Sequence, residues 1–267
     1  MTTWYRILIG SLLVAGLAGA CGCGADSQYS TPRRLDRGMV VILPGIEGRS
    51  SLNSDIRRGL VMAGVSKALP IYSWGAPVPG VGLLINQTNV VGNRMAAENI
   101  AEYITNYQDE RSGRPVYVVG HSGGGGVAVF VAEAMPPGRQ LDGLILLSAS
   151  ISRGYDLTDA LSHCRKGIVS FYNPNDPLLG VGTTVLGNVD GAHGPSAGKD
   201  GFSRPYPRLY QQRVHGRGTS AHTAATRPSF VATRVAPWVQ AADWPPGAGG
   251  WLALHPSNGS QIGRAHV

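Results

Sequence analysis

Apolar residues in this chain come in short continuous runs, separated by longer stretches where they recur at helical spacing. Runs from Met39 to Leu43, Val116 to Val119, Leu144 to Leu147, Ile168 to Tyr172 and Leu209 to Val214 read as buried strands, and Ala68 to Trp74 as a further one. A helix is expected from a cap at Asn53 or Ser54 through Ala63, with Ile56, Leu60 and Val61 inward. A longer helix is expected from Val91 to Tyr107, with Met95, Ile100, Tyr103 and Ile104 near helical spacing. Arg227 to Val239 reads as a closing helix, interrupted or begun around Pro228. Runs without polar alternation belong to strands covered on both faces. The pattern predicts an α/β protein with a mostly parallel sheet and helices on both sides.

Composition bounds this picture. The chain has 267 residues, 43% hydrophobic and 15% charged, enough for one large globular domain. The domain is expected over 39–239. Net charge is +7, carried almost wholly by arginine, since lysine occurs only at 67, 166 and 199. The arginines are scattered and not interleaved with aromatics, so no nucleic-acid partner is expected. The N-terminus carries Arg6, an apolar stretch from Ile7 to Leu17 and an Ala18-Gly19-Ala20 site, and 1–20 reads as an export signal. Leu17 to Cys21 also resembles a bacterial lipobox. Plain cleavage and lipidation of Cys21, which would bring membrane association, both stand as expectations. Residues 21–38 read as a tether and 240–267 as a tail. The last six, Ile262 to Val267, look like a translated sequencing adapter, so His266 receives no role. Cys164 stands alone in the domain, implies no disulfide and reads as a small half-buried residue.

Candidate chemistry centres on Gly120-His121-Ser122-Gly123-Gly124, which lies between the run ending at Val119 and the apolar segment Val127 to Val131. A G-x-S-x-G pattern is cheap in a chain with 38 glycines. Its placement between a strand and a helix makes it a nucleophile elbow, a sharp turn that lifts the serine hydroxyl out of the sheet. Gly123 to Gly126 form an unusually glycine-rich helix start, which implies close packing, open space near the serine, or compositional bias.

Over 39–239 the chain resembles the α/β-hydrolase superfamily, through this elbow and through strand-end candidates in the order nucleophile, acid, histidine. The resemblance implies an α/β-hydrolase fold with little or no cap domain, since only Ile151 to Arg165 separates two strands where relatives insert one. It implies Ser122 as nucleophile and Asp176 as the acid, in the loop after Tyr172. Asp156 is the alternative, and a plain Asx turn is the structural reading of Asp176. His222 is the base of choice, ahead of His215 and His193. His121 reads as structural or pocket-lining, and His163 as surface. The backbone N–H groups of Gly123 and Ile46 are the expected oxyanion donors, with Glu47 next after Ile46. Glu47 itself either lines the pocket or forms a surface ion pair. The stretch Leu178 to Arg208 borders the site, and Leu178, Leu179, Val181, Val185 and Leu186 form either an apolar acyl wall or a short core-packing helix. No metal constellation or phosphate-binding glycine loop is present in the sequence, so no cofactor is implied. The expectation is an exported serine hydrolase that cleaves an acyl or lipid ester through an acyl-enzyme. A non-catalytic envelope binding protein, or an acyltransferase or amidase using the same residues, is the alternative.

Overall fold

A computed structural model of the protein describes residues 26–75 and 81–245. The expected signal segment, Cys21 and the end of the tail lie outside these residues. Five strands, β1 Met39–Leu43, β2 Val116–His121, β3 Gly143–Leu147, β4 Ile168–Tyr172 and β5 Leu209–Arg213, form one sheet in sequence order. Every neighbouring pair is parallel. Side-chain alternation splits the sheet residues between two cores. Val40, Ile42, Tyr117, Val119, Ile145, Leu147, Val169 and Phe171 face one core, where they meet Ile56 and Leu60 of α1 (Ser51–Met62). Val231, Val235 and Trp238 of the closing helical run, α6 (228–240), complete that layer. On the opposite face, Val41, Val118, Leu144 and Leu146 meet Ala97, Ile100 and Ile104 of α3 (Val90–Glu110), and Val127, Phe130 and Val131 of α4 (Gly123–Glu133). This is the expected three-layer α/β architecture.

The structure corrects several local expectations. The segment from Ala68 to Trp74 runs beside β1 but bridges it only at Met39–Ala68 and Ile42–Ile71. Ala68 N, Val40 N, Ile42 N and Tyr72 N all make ladder hydrogen bonds there. The missing rung is the one residue 70 would donate to Val40 O, because Pro70 has no N–H. Helix α1 starts earlier than expected: Ser50 is its cap, and Ser50 N donates to Asn53 Oδ1 in a capping box. Val61, expected inward, is exposed, as are Met95 and Tyr103 of α3, whose buried stripe is Asn93, Ala97, Ile100, Ala101, Ile104 and Tyr107. Small alanines close to the sheet displaced larger residues that share nearly the same spacing. Helix α6 begins at Pro228 and contains a π turn, Val231–Val235, just before Pro237 removes another N–H.

Residues 26–38, expected as part of a tether, pack on the domain. Asp26 pairs with Arg49 and Arg57, Tyr107 Oη donates to Leu35 O at 2.6 Å, and Arg34 donates to Lys67 O at 2.8 Å. Beyond α6, Trp244 is buried against Tyr210 and Trp238. Cys164 is fully buried rather than half-buried, and burial pushes its thiol up to about 12, which keeps it un-ionised.

Candidate active site

Ser122 occupies the turn from β2 into α4 with φ 53° and ψ −123°, a left-handed conformation that is strained for a residue with a Cβ. Three backbone hydrogen bonds hold it. Ser122 N donates to Leu147 O at 3.0 Å, while Gly125 N and Ser150 N each donate to Ser122 O at 2.9 Å. The glycines around it answer to close packing, not open space. A Cβ on Gly120 would overlap Gly124 O, one on Gly124 would overlap Pro44 O, and one on Gly125 would sit 2.6 Å from Ala149 Cβ. A Cβ on Gly126 would strike the Val189 side chain. Helix α4 therefore lies directly against the ends of β1 and β3 because it lacks side chains there.

His222 reaches this turn from the loop after β5. Its Nε2 lies 3.0 Å from Ser122 Oγ, and its Nδ1 lies 2.7 Å from Asp176 Oδ2. Asp176 is completely buried. Its two oxygens divide the work. Oδ1 accepts from Leu178 N and Leu179 N, both at 3.0 Å, capping α5 (Pro177–Leu186), while Oδ2 faces the imidazole. The Asx-turn reading and the histidine-orienting reading of Asp176 thus hold together. The rival residues are elsewhere. His215 is exposed, exposed His193 contacts Thr184 O, and exposed Asp156 accepts from Thr158 and pairs with Arg204. His163 is half-buried beside Asp159.

His121 is buried in van der Waals range of the same site. Its ring centroid is 5.0 Å from that of His222, and its Nε2 lies 3.3 Å from His222 O. Burial, reinforced by the neighbouring His222, lowers its pKa to about 3, so it is neutral across ordinary pH. A neutral ring with the proton on Nε2 donates to His222 O and fixes the backbone that carries His222.

The loop after β1 faces Ser122 from the other side. A Cβ on Gly123 would lie 2.6 Å from Ile46 Cγ2 and 3.5 Å from Ile46 N. Ile46 N–H has no acceptor among the described residues, and Gly123 N–H begins a helix and is likewise unpaired within it. Trp74 Nε1 donates to Pro44 O at 2.7 Å and Asn86 Nδ2 to Ile46 O at 2.9 Å, so both flanks of this peptide are held. Glu47 is exposed and accepts from Ser50 Oγ at 3.2 Å. Sequence reading missed Trp74, Asn86 and Asn173; the last donates to Gly216 O and Ala221 O, tying the loop of His222 to the end of β4. Trp74 and Asn173 have only the local signal of an indole or amide near a strand end, and Asn86, inside a helix, has none.

A cavity of about 290 Å³ opens onto Ser122. Ile46, Leu178, Leu179 and Leu186 give it apolar walls, and Gln87 and Ser150 contribute polar groups. Helix α5 is therefore the expected short helix but not a core-packing one. Leu178, Val181 and Val185 are 58, 68 and 67% exposed, and only Leu179 and Thr183 are buried. Among the described residues no cluster of acidic, histidine or cysteine side chains could hold a metal ion, and no helix is long and apolar enough to cross a membrane. A hydroxyl bonded to an imidazole, itself bonded to a buried carboxylate, beside two unpaired N–H groups, can perform nucleophilic attack on a carbonyl carbon.

No protein-family model matches the sequence, and no curated protein is similar to it. Solved structures are. Lipase B of Aspergillus fumigatus superposes with a TM-score of 0.50 at 13% identity, over 83% of this chain and 56% of the lipase. An extracellular alpha/beta-hydrolase from a Paenibacillus species gives 0.44 at 11%, covering 73% of this chain and 96% of that one. The CIB-like hydrolase of Thermoplasma acidophilum gives 0.44 at 15%, covering 73% and 83%. At such identities the likeness is one of fold.

Proposed function

On the premise that this chain has the α/β-hydrolase fold, we propose that it is a serine hydrolase acting on carboxylic esters. The observation that carries the reading is the continuous Ser122–His222–Asp176 hydrogen-bond chain, 3.0 and 2.7 Å long, with the carboxylate sealed from water. His222 takes the Ser122 proton as Oγ attacks the ester carbonyl. The Gly123 and Ile46 N–H groups receive the developing oxyanion. The alkoxide leaves with the proton from His222, giving an acyl-Ser122 ester. Water, deprotonated by His222, then cleaves that ester and restores Ser122. Asp176 holds the imidazole tautomer and offsets its transient positive charge throughout.

The cavity is at the lower end of sizes that enclose small ligands, so short acyl chains are the better fit. The test is hydrolysis of p-nitrophenyl esters from acetate to palmitate by the domain and its Ser122→Ala variant. Activity highest at short chains and lost in the variant is expected. A folded domain that neither hydrolyses these esters nor labels with a fluorophosphonate would instead be a binding protein. Export is part of the same proposal, with either plain signal cleavage or lipid attachment at Cys21. Lipid attachment predicts a membrane-bound acylated form that Cys21→Ser releases, whereas plain cleavage predicts a released, unacylated form, read by fractionation.

A further inference from the structure

Within the apolar cavity, two polar groups are aimed with complementary hydrogen-bonding capacity. Gln87, buried on α2 (Val81–Thr88), places Nε2 2.6 Å from Gly187 O and 2.9 Å from Ser150 Oγ. A backbone carbonyl can only accept, so the amide orientation is set: the nitrogen, not the oxygen, faces Gly187. Both N–H bonds of Gln87 are then used. Its Oε1 takes no hydrogen bond among the described residues and is not sealed from solvent. Ser150 Oγ accepts from Gln87, which leaves its own O–H without an acceptor among the described residues. Among the described residues, the cavity therefore presents one unused acceptor and one unused donor side by side. Among the described residues, no charged side chain lines it.

We infer that Gln87 and Ser150 recognise a hydroxyl group on the substrate, so that the preferred substrate is a hydroxylated ester and not a plain alkyl one. A hydroxyl is the neutral group that both donates and accepts through one atom. It would donate to Gln87 Oε1 and accept from Ser150 O–H. A plain chain would instead bury both groups unpaired, which is how a site built for a hydroxyl rejects the analogue lacking it. A carboxylate or phosphate is disfavoured, because it could use the single donor but would press its charge against Gln87 Oε1 with no cation nearby. This inference rests on the ester-hydrolase reading.

The experiment compares kcat/KM for matched ester pairs. One arm sets p-nitrophenyl 3-hydroxybutanoate against p-nitrophenyl butanoate, placing the hydroxyl on the acyl side. The other sets 2-hydroxyethyl butanoate against ethyl butanoate, placing it on the alcohol side. A preference of roughly tenfold or more for the hydroxylated member of one pair is expected. It should fall at least threefold in Ser150→Ala and in Gln87→Met. Wild-type protein that hydrolyses both members of each pair within twofold overturns the inference and leaves the hydrolase reading standing. No turnover of any ester, with no fluorophosphonate labelling of Ser122, overturns both.

Discussion

At Asp176 a single carboxylate serves two structures, and substitutions can separate them. Asp176→Asn keeps an oxygen to cap α5 but no longer holds the imidazole tautomer. It should lower kcat on the order of 10⁴-fold with little change in melting temperature. Asp176→Ala should lose the same activity and also about 1 kcal/mol of stability through the cap, read by urea unfolding. His121 makes a second residue-level prediction. It is neutral when folded, down to a pKa of about 3, whereas in the unfolded chain it takes a proton near 6.5. The unfolded state then binds the extra proton, so this contribution to stability is present above pH 6.5 and is lost as pH falls towards 3. The slope is about 1.4 kcal/mol per pH unit. Between pH 7 and pH 5, wild type should lose roughly 2 kcal/mol more than His121→Asn, measured from urea midpoints.

Elements in this protein succeed or fail by where glycine sits. In α4, glycine is required because the helix start touches backbone: Gly124→Ala would push a methyl into Pro44 O. That change should cost about 1–3 kcal/mol and displace the loop carrying Ile46, lowering activity as well. In α5, a Cβ on Gly182 would meet nothing within 4 Å. Gly182→Ala should therefore raise stability by about 0.5–1 kcal/mol through helix propensity alone. Thermal unfolding of both variants, run side by side, checks the contrast. The two helices are similar in sequence character, rich in glycine and apolar residues, yet one lies under the sheet ends and the other over the cavity.

Across the whole molecule, segments outside the expected 39–239 boundaries close the core. Trp244 stacks edge-on against Tyr210 and Trp238 at 5.7 and 5.1 Å, and its Nε1 donates to Trp238 O at 2.8 Å. Beside it, Lys166 Nζ donates to Tyr117 Oη and to Ala241 O. Trp244→Ala should destabilise by about 3–5 kcal/mol, shown by the urea midpoint. Turnover per folded molecule should stay unchanged, since the cluster lies in the core on the α6 face of the sheet. The sequence reading placed 240–245 at the start of a tail. Burial of an indole against two aromatic neighbours is a tertiary property that composition does not carry.

What the sequence by itself determined is local. Continuous apolar runs specified parallel strands and the elbow pattern specified the turn at Ser122, each through periodicity or turn chemistry within a few residues, whereas Asp176 and His222 were reached only through the strand-end order that the superfamily resemblance implies. The tertiary structure alone decided the rest. Gln87 meets Ser150 across 63 positions, His121 meets His222 across 101, and Asn173 meets Ala221 across 48. Such pairs leave no local trace, because a hydrogen-bond partner is chosen by the packing of layers and not by chain neighbours. The same holds for exposure: Val181 and Val185 are as apolar as any strand residue, and they are exposed because no layer among the described residues covers them.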